Sequence, residues 1–319
     1  MDLCGGTNNR KAAVIGCGFV GSASAFALMQ SGLFTEMVLI DVDRERAEGE
    51  AMDISHGVPL AEPMTIYAGD YRDIVDAAVI IITAGANQKP GETRLDLVQK
   101  NAKIMRSIVT QIAEKGCRGM LLIVSNPVDI LTYVAQKVSG LPEKRVFGSG
   151  TVLDSARLRY HLGRRLGVDS RSVHAFVIGE HGDSEIAAWS SANISGVPLD
   201  TFCEMRGHYD HEGNTESIED RVRGSAYEII AKKDATYYGI AMVVKRLCQA
   251  IVRDEKSVFP VSRRMHGEYG VGDVVLSMPA IIGADGVENL VPISLNEKEK
   301  AGLCQSAETL RQIAEKLDL

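Results

Sequence analysis

The sequence predicts an α/β protein built on a doubly wound parallel sheet, followed by an α+β second half. Three observations predict it. Strand-like and helix-like segments alternate through residues 1–149. The strand-like segments are continuously apolar and β-branched, as in Ala77–Thr83 (Ala-Ala-Val-Ile-Ile-Ile-Thr), which suits a parallel sheet covered on both faces. The first strand-to-helix junction carries three glycines, Gly16-x-Gly18-x-x-Gly21.

Taken in order, the apolar run Ala12–Ile15 enters that array. Its first glycine permits a tight turn, the second lets the backbone approach a pyrophosphate, and the third lets the helix pack closely on the strand. Ser22–Gln30 continues as an Ala-rich helix, whose N-terminus presents N–H groups and a positive dipole end to phosphate. The next strand, Met37–Asp43, carries Asp41 about 20 residues past Gly21, where a carboxylate can bind ribose hydroxyls. That carboxylate would repel a 2′-phosphate, so the pattern indicates a Rossmann domain for NAD rather than NADP. A structural turn beside a surface acid would give the same letters.

A helix follows over about Arg44–Ser55, then strands at Met64–Ala68 and Ala77–Thr83. The Gly/Pro-containing loop Gly85–Gly91 precedes a long helix, about Thr93–Lys115. Met120–Val124 reads as a strand, Ser125-Asn126-Pro127 as a loop, and Val128–Val138 as a helix. The domain boundary is placed near Ser149, giving a nucleotide-binding domain, 1–149, and a substrate domain, 150–319. A helix at Val152–Leu166, which fits either side of that boundary, leads into shorter strands near Val173–Ile178 and Ile186–Ala188. Helices are expected at Ile218–Lys232 and Ala235–Arg253, and strands at Lys256–Val261 and Asp273–Ile282. In the last helix Asn296 suits an N-cap and Glu299 its N3 partner, while Leu303, Leu310, Ile313 and Leu317 share one face.

Composition narrows the function classes. The 319 residues are 45% hydrophobic and 24% charged, as in ordinary globular proteins. A net charge of −7 argues against nucleic acid or an anionic membrane as partner. Six cysteines are scattered without a C-x-x-C pair, which suits a reducing compartment and gives no structural zinc site. Met1–Arg10 has no apolar signal core, and no apolar run approaches the roughly 20 residues of a membrane span. The expectation is a cytoplasmic protein without a metal.

Hydride chemistry on a nicotinamide is accompanied by a proton. His181, in Ile178-Gly179-Glu180-His181-Gly182-Asp183-Ser184-Glu185, titrates in the useful range, although a histidine beside Gly-Asp also suits a turn. Asp154 and Arg157 lie three apart on a helix and so share a face. A carboxylate behind an imidazole fixes its tautomer and stabilises its charged form. An arginine beside them can clamp a substrate carboxylate with two parallel hydrogen bonds. A solvated i,i+3 ion pair has the same spacing.

Several motifs in order carry a resemblance. Gly16-x-Gly18-x-x-Gly21, Thr83-Ala84-Gly85, Gln88-Lys89-Pro90-Gly91-Glu92-Thr93-Arg94, Ser125-Asn126-Pro127, Asp154-Ser155-Ala156-Arg157, Gly179-Glu180-His181-Gly182 and Ala235-Thr236-Tyr237-Tyr238-Gly239 span nearly the whole chain. In this order they resemble the bacterial L-lactate dehydrogenases. The resemblance implies that His181 donates a proton to the pyruvate carbonyl, that Asp154 orients it, and that Arg157 anchors the carboxylate. It implies that Arg94 polarises the ketone as the Pro90–Gly91 loop closes, and that Asn126 sits between substrate and the nicotinamide ribose. The implied NAD contacts are Gly16, Gly18, Phe19, Val20, Gly21, Asp41, Thr83, Ala84, Gly85 and Asn126.

Gln88 and Thr236 bear on the substrate. The sister malate dehydrogenases carry arginine where Gln88 stands, to meet a second carboxylate. A neutral amide and a threonine would leave that carboxylate uncompensated, so pyruvate/L-lactate is expected over oxaloacetate/malate. Another 2-hydroxy-acid dehydrogenase, for malate or branched acids, is the rival on the same scaffold. An NAD-dependent glycosidase would need a metal held by Cys and His, and no matching site is found. A nicotinamide-binding redox sensor would not explain Asp154, Arg157, His181 and Arg94 together. Arg159 lies two positions from Arg157 and points roughly away from its face. With His174 it matches the pair that binds fructose 1,6-bisphosphate in allosteric bacterial relatives, so activation by that effector is expected. A surface arginine and a half-buried strand histidine is the plainer reading. The family resemblance also implies a homotetramer.

Overall fold

A computed structural model of the chain describes residues 7–86, 91 and 93–317, with the backbone alone at 94, 211, 212 and 214. The first half contains β1 (Asn8–Ile15), α1 (Phe19–Met29), β2 (Glu36–Ile40), α2 (Arg44–His56), β3 (Thr65–Ala68), β4 (Ala77–Ile82), α3 (Arg94–Glu114), β5 (Met120–Ile123), α4 (Val128–Val138) and β6 (Val146–Gly148). Then come α5 (Val152–Leu166), β7 (Val173–His174), β8 (Val177–Ile178), β9 (Ile186–Ala187), β10 (Asn193–Ile194), β11 (Val197–Pro198), α6 (Leu199–Met205) and α7 (His211–Lys233). The chain closes with α8 (Tyr238–Val252), β12 (Ser257–His266), β13 (Gly272–Gly283), β14 (Gly286–Leu290) and α9 (Glu297–Ala314).

Among the described residues one sheet of nine strands runs through both halves, in the order β14-β13-β12-β6-β5-β4-β1-β2-β3. From β6 to β3 all neighbours are parallel, and from β6 to β14 all are antiparallel. β1 is the switch strand, since Ala13 pairs with Val38 on one side and Ile80 on the other. A crevice therefore opens at its carboxyl end, where the chain direction of the crossovers reverses. The two halves join where Gly148 of β6 pairs with Ser262 of β12. A Cβ at Gly148 would stand 2.5 Å from the Thr132 hydroxyl and 2.8 Å from Ser262 Cβ, so only glycine fits the join.

The unbroken apolar runs follow from burial on both faces. Ala12 and Val14 belong to one cluster with Leu28, Leu39, Leu122 and Phe147. Ala13 and Ile15 belong to another with Ile80, Met105, Leu121 and Leu131. Alternate residues of a strand enter opposite cores, as its two-residue period requires. Helix α8 of the second half supplies Val244, Leu247 and Ile251 to the first cluster and packs on α1. No helix of the described residues is long and apolar enough to cross a membrane.

The structure differs from the sequence reading at several elements. β6, α6 and β14 were not anticipated: they span only three, seven and five residues, too short to show a period. α7 starts at His211 rather than Ile218, with Asp210 accepting from the Gly213 N–H as its N-cap. α8 starts at Tyr238 rather than Ala235, because Asp234 ends α7 in the left-handed region at φ 67°. β12 continues past Val261 to His266 because its partner β13 is long enough to pair with it.

One buried charge lies on β1. Lys11 is 7% exposed, with Nζ 3.0 Å from Glu36 Oε1 and 2.8 Å from Asp76 Oδ1. The Tyr67 hydroxyl donates to the same Glu36 oxygen at 2.7 Å. Both carboxylates keep some solvent, which softens the loss of their partner. Lys11→Met is expected to cost about 2 kcal/mol, read as a lower urea midpoint with an unchanged slope.

Candidate active site

The glycine array forms a built turn. Gly16 has φ 102°, and a Cβ there would lie 2.5 Å from the Ala84 nitrogen. A Cβ at Gly21 would lie 1.8 Å from the Gly16 carbonyl oxygen, so the helix and strand approach too closely for any other residue. At Gly18 a Cβ would meet nothing within 4 Å, which leaves the turn open on the crevice side. α1 starts there without a side-chain cap, and its first-turn N–H groups have no intrahelical acceptor. Thr83 Oγ1 donates to the Gly16 carbonyl at 2.7 Å, and the Ala84 N–H to the Ile15 carbonyl at 3.0 Å. The Asp41 carboxylate accepts from the Cys17 N–H at 2.6 Å and the Asp43 N–H at 2.9 Å, which sets it against the turn. An open glycine cradle, free helix N–H groups and an adjacent acid fit the pyrophosphate and ribose of a dinucleotide.

Other predicted residues surround this crevice. Phe19 is 62% exposed and stacks on Tyr237 at a centroid distance of 5.4 Å, which brings the α7–α8 junction, with half-buried Thr236, towards the glycine turn. Val20 packs against the core beneath. Asn101 of α3 accepts from the Ala86 N–H at 2.8 Å and donates to the Asn126 carbonyl at 3.0 Å, so it ties the segment after Gly85 to the Ser125–Pro127 loop. Ser125 Oγ donates to the Ala84 carbonyl at 2.6 Å. Asn126 itself is exposed and precedes a cis peptide to Pro127.

On the substrate side, α5 and the loop after β8 place Asp154, Arg157 and His181 together. Asp154 is 2% exposed, so the solvated ion pair is excluded. Its Oδ2 stands 2.7 Å from His181 Nδ1, and its Oδ1 accepts from Arg157 Nη1 at 2.8 Å. Burial alone would lower the His181 pKa, but the Asp154 charge and hydrogen bond outweigh it and raise it to about 9. Burial would raise Asp154, yet His181 and Arg157 together hold it below the usual carboxylate range. The imidazole therefore keeps its proton at neutral pH, and Nδ1 is committed to Asp154. Nε2 is the nitrogen left to serve a reacting atom.

The loop bearing His181 is fixed from three sides. Gly179 exchanges both backbone hydrogen bonds with Ser277 of β13, at 2.9 and 2.8 Å. The Glu180 N–H donates to Ser306 Oγ of α9 at 2.6 Å, and the His181 N–H donates to Asp129 Oδ2 of α4 at 2.8 Å. Ser262 Oγ donates to the other Asp129 oxygen at 2.6 Å. Burial pushes Asp129 up to about 6 against these two donors. Sequence reasoning missed Asp129. Its one signal was an acid in the first turn of an otherwise apolar helix, directly after Ser-Asn-Pro.

Of the remaining predicted residues, Arg94 begins α3 behind a capping box in which Thr93 and Asp96 satisfy each other. Its side chain and the whole of Gln88 lie outside the described residues. Arg159 is half-buried on α5, with Nε hydrogen-bonded to nothing among the described residues, and burial lowers its pKa. His174 is exposed rather than half-buried, on β7, which packs against α5.

Two family models cover this architecture. Residues 10–148 match the lactate/malate dehydrogenase NAD-binding domain, and residues 151–318 match the alpha/beta C-terminal domain of the same enzymes. The chain belongs to the lactate/malate dehydrogenase family. It is thus an NAD-dependent oxidoreductase by family, and the glycine turn lies within the residues matched to the NAD-binding domain. An L-lactate dehydrogenase of Priestia megaterium is 52% identical over 303 residues, 95% of this chain and 95% of its own. One from Acetivibrio thermocellus is 48% identical over 97% of this chain and 98% of its own. The ligand-bound crystal structure of a minor L-lactate dehydrogenase from Enterococcus mundtii superposes with a TM-score of 0.94 at 44% identity, covering 97% and 99% of the two chains.

In this dehydrogenase Asp129 holds the His181 backbone while being buried itself. Asp129→Ala is expected to cost about 2 kcal/mol, the penalty for stranding buried donors, as a lower midpoint in chemical denaturation.

Proposed function

We propose that the protein is an L-lactate dehydrogenase, interconverting pyruvate and L-lactate. The observation that carries the reading is the Asp154 carboxylate held between His181 and Arg157, at 2.7 and 2.8 Å. It supports a reading in which a proton donor stands beside a carboxylate-binding guanidinium, the two groups a 2-oxo acid requires. NADH, when bound in the crevice, supplies the hydride.

In this reading His181 Nε2 holds the proton that the carbonyl oxygen takes up, and Asp154 keeps the imidazole charged until transfer. Arg157 clamps the substrate carboxylate, and Arg94 stabilises the charge developing on the oxygen. Gln88 and Thr236 are the residues assigned to the third substituent. A methyl group makes no electrostatic demand there, while a second carboxylate would be stranded, which favours pyruvate over oxaloacetate. Asn126 takes its place between substrate and nicotinamide ribose. Gly16, Gly18, Phe19, Val20, Gly21, Asp41, Thr83, Ala84 and Gly85 cradle the NAD. Residues 1–149 act as the nucleotide-binding domain and 150–319 as the substrate domain of a cytoplasmic homotetramer.

Fructose 1,6-bisphosphate is the proposed activator, bound by Arg159 and His174. Support comes from the packing of α5 on β7 and from the Nε of Arg159, which has no hydrogen-bond partner among the described residues. An effector that binds one quaternary state better lowers the apparent KM for pyruvate.

NADH oxidation measured in parallel with pyruvate and oxaloacetate tests the substrate. Pyruvate is expected to be preferred by at least about tenfold in kcat/KM, as the binding cost of an unpaired carboxylate implies, and Gln88→Arg should move that ratio towards oxaloacetate. Equal rates would overturn the assignment. The proton inventory gives a second outcome. Reduction needs protonated His181, so kcat/KM for pyruvate should fall as pH rises through about 9, while lactate oxidation should gain over the same interval. For the effector, pyruvate saturation curves with and without fructose 1,6-bisphosphate should separate, and Arg159→Ala should make them coincide.

A further inference from the structure

A second carboxyl stands beside the His181–Asp154 pair and has no part in the reaction as described so far. An oxygen of Glu185, an oxygen of Asp154 and a ring nitrogen of His181 all lie within 4.8 Å of one another. Glu185 follows His181 on the same loop and is partly buried, at the edge of a small cavity beneath α7. Leu158, Val177 and Val222 line that cavity with apolar surface, and Glu219 and Arg223 of α7 complete it. Arg223 Nε is buried with no hydrogen-bond partner among the described residues. Glu219 accepts from the Trp189 indole N–H.

We propose that Glu185 is a positioning residue of the proton transfer, a second carboxyl that acts on the substrate only through the charge it presents to His181. The inference rests on the reading of His181 as proton donor. Every charge facing the pair enters the argument. α5 contributes Asp154 and Arg157, α4 contributes Asp129, and α7 contributes Glu219 and Arg223. Burial and the nearby Asp154 charge raise Glu185 to about 8, against the pull of His181, Arg223 and Arg157. At neutral pH the carboxyl is therefore mainly neutral and His181 mainly charged. Glu185 and His181 titrate as a coupled pair, and a negative charge on Glu185 opposes loss of the His181 proton. The pair behaves as a buffer that extends the protonated imidazole to higher pH than Asp154 alone would allow. No covalent step is involved.

The test compares Glu185→Gln, which keeps the shape and removes the charge, with Glu185→Asp, which keeps the charge on a shorter arm. The His181 imidazole is titrated by carbon-13 NMR in the intact enzyme, its resonance assigned by loss in His181→Asn. Glu185→Gln is expected to lower the His181 pKa by about one unit, with Glu185→Asp restoring part of the shift. The ratio of pyruvate kcat/KM at pH 9 to that at pH 7 should fall several-fold in Glu185→Gln. An unchanged imidazole titration would overturn the proposal, and so would a loss of activity equal at every pH, which marks a purely structural role. If the wild-type enzyme reduces no pyruvate, the preceding functional reading fails, while the imidazole titration still decides this one.

Discussion

The site depends on one buried carboxylate shared by two cations. Asp154 sits in the first turn of α5, where the helix dipole favours negative charge, yet it is 2% exposed and could not stay ionised on that alone. His181 and Arg157 each satisfy one of its oxygens. Each member needs the others. Without the carboxylate the half-buried imidazole would give up its proton more readily, and without either cation the carboxylate would be costly to keep charged. The interaction therefore fixes not only two side chains but the separation of α5 from the loop after β8.

That separation is maintained by the way the two halves share a sheet. β12 continues the parallel sheet through a single antiparallel pairing to β6, and β13 extends it. β13 then reaches the loop bearing His181 directly, through the paired backbones of Ser277 and Gly179. α4 of the first half supplies Asp129 to the same loop. The glycine turn at the end of β1 and His181 beyond the end of β8 are thus related through paired strands, not through a hinge of loops. Such rigidity is what a transfer between two bound molecules demands, since reactive geometry tolerates little displacement.

Much of this was legible in the sequence because the informative residues act over short distances. The glycine array is legible because its spacing is a motif: Gly16 and Gly21 each avoid a steric conflict, with Ala84 and with the Gly16 carbonyl, while Gly18 leaves the turn open. The boundaries of α4 and α5 follow from Pro127 before the first and Gly167, at φ 66°, after the second. Asn296 and Glu299 form the capping box their spacing suggested. What stayed hidden depends on long-range pairing. β6 has three residues, and its strand character comes from neighbours on either side. Asp129 reaches His181 across 52 positions and Ser262 across 133, so no window of sequence contains the contact. Gln88 and Arg94 show the reverse case, since their motif is readable while the structure leaves their side chains undescribed.

Three carboxyl groups lie near His181, and the contrast between Asp129 and Asp154 explains why only the second of these two is held ionised against the ring. Asp129 and Asp154 occupy equivalent places, each in the first turn of a helix and each 2% exposed. Asp154 is lowered because it has a guanidinium and an imidazole in contact, whereas Asp129 is raised to about 6 with hydroxyl and amide donors in their place. Neutral donors compensate burial only in part, while charged ones overcompensate it. An acid held by neutral donors can anchor a backbone whether or not a proton comes and goes nearby. An acid held by charges is committed to the charge state of its partners, and so registers each proton that His181 gains or loses. The two roles are not interchangeable, and it is the cations placed around each carboxylate, more than helix position or depth, that assign them.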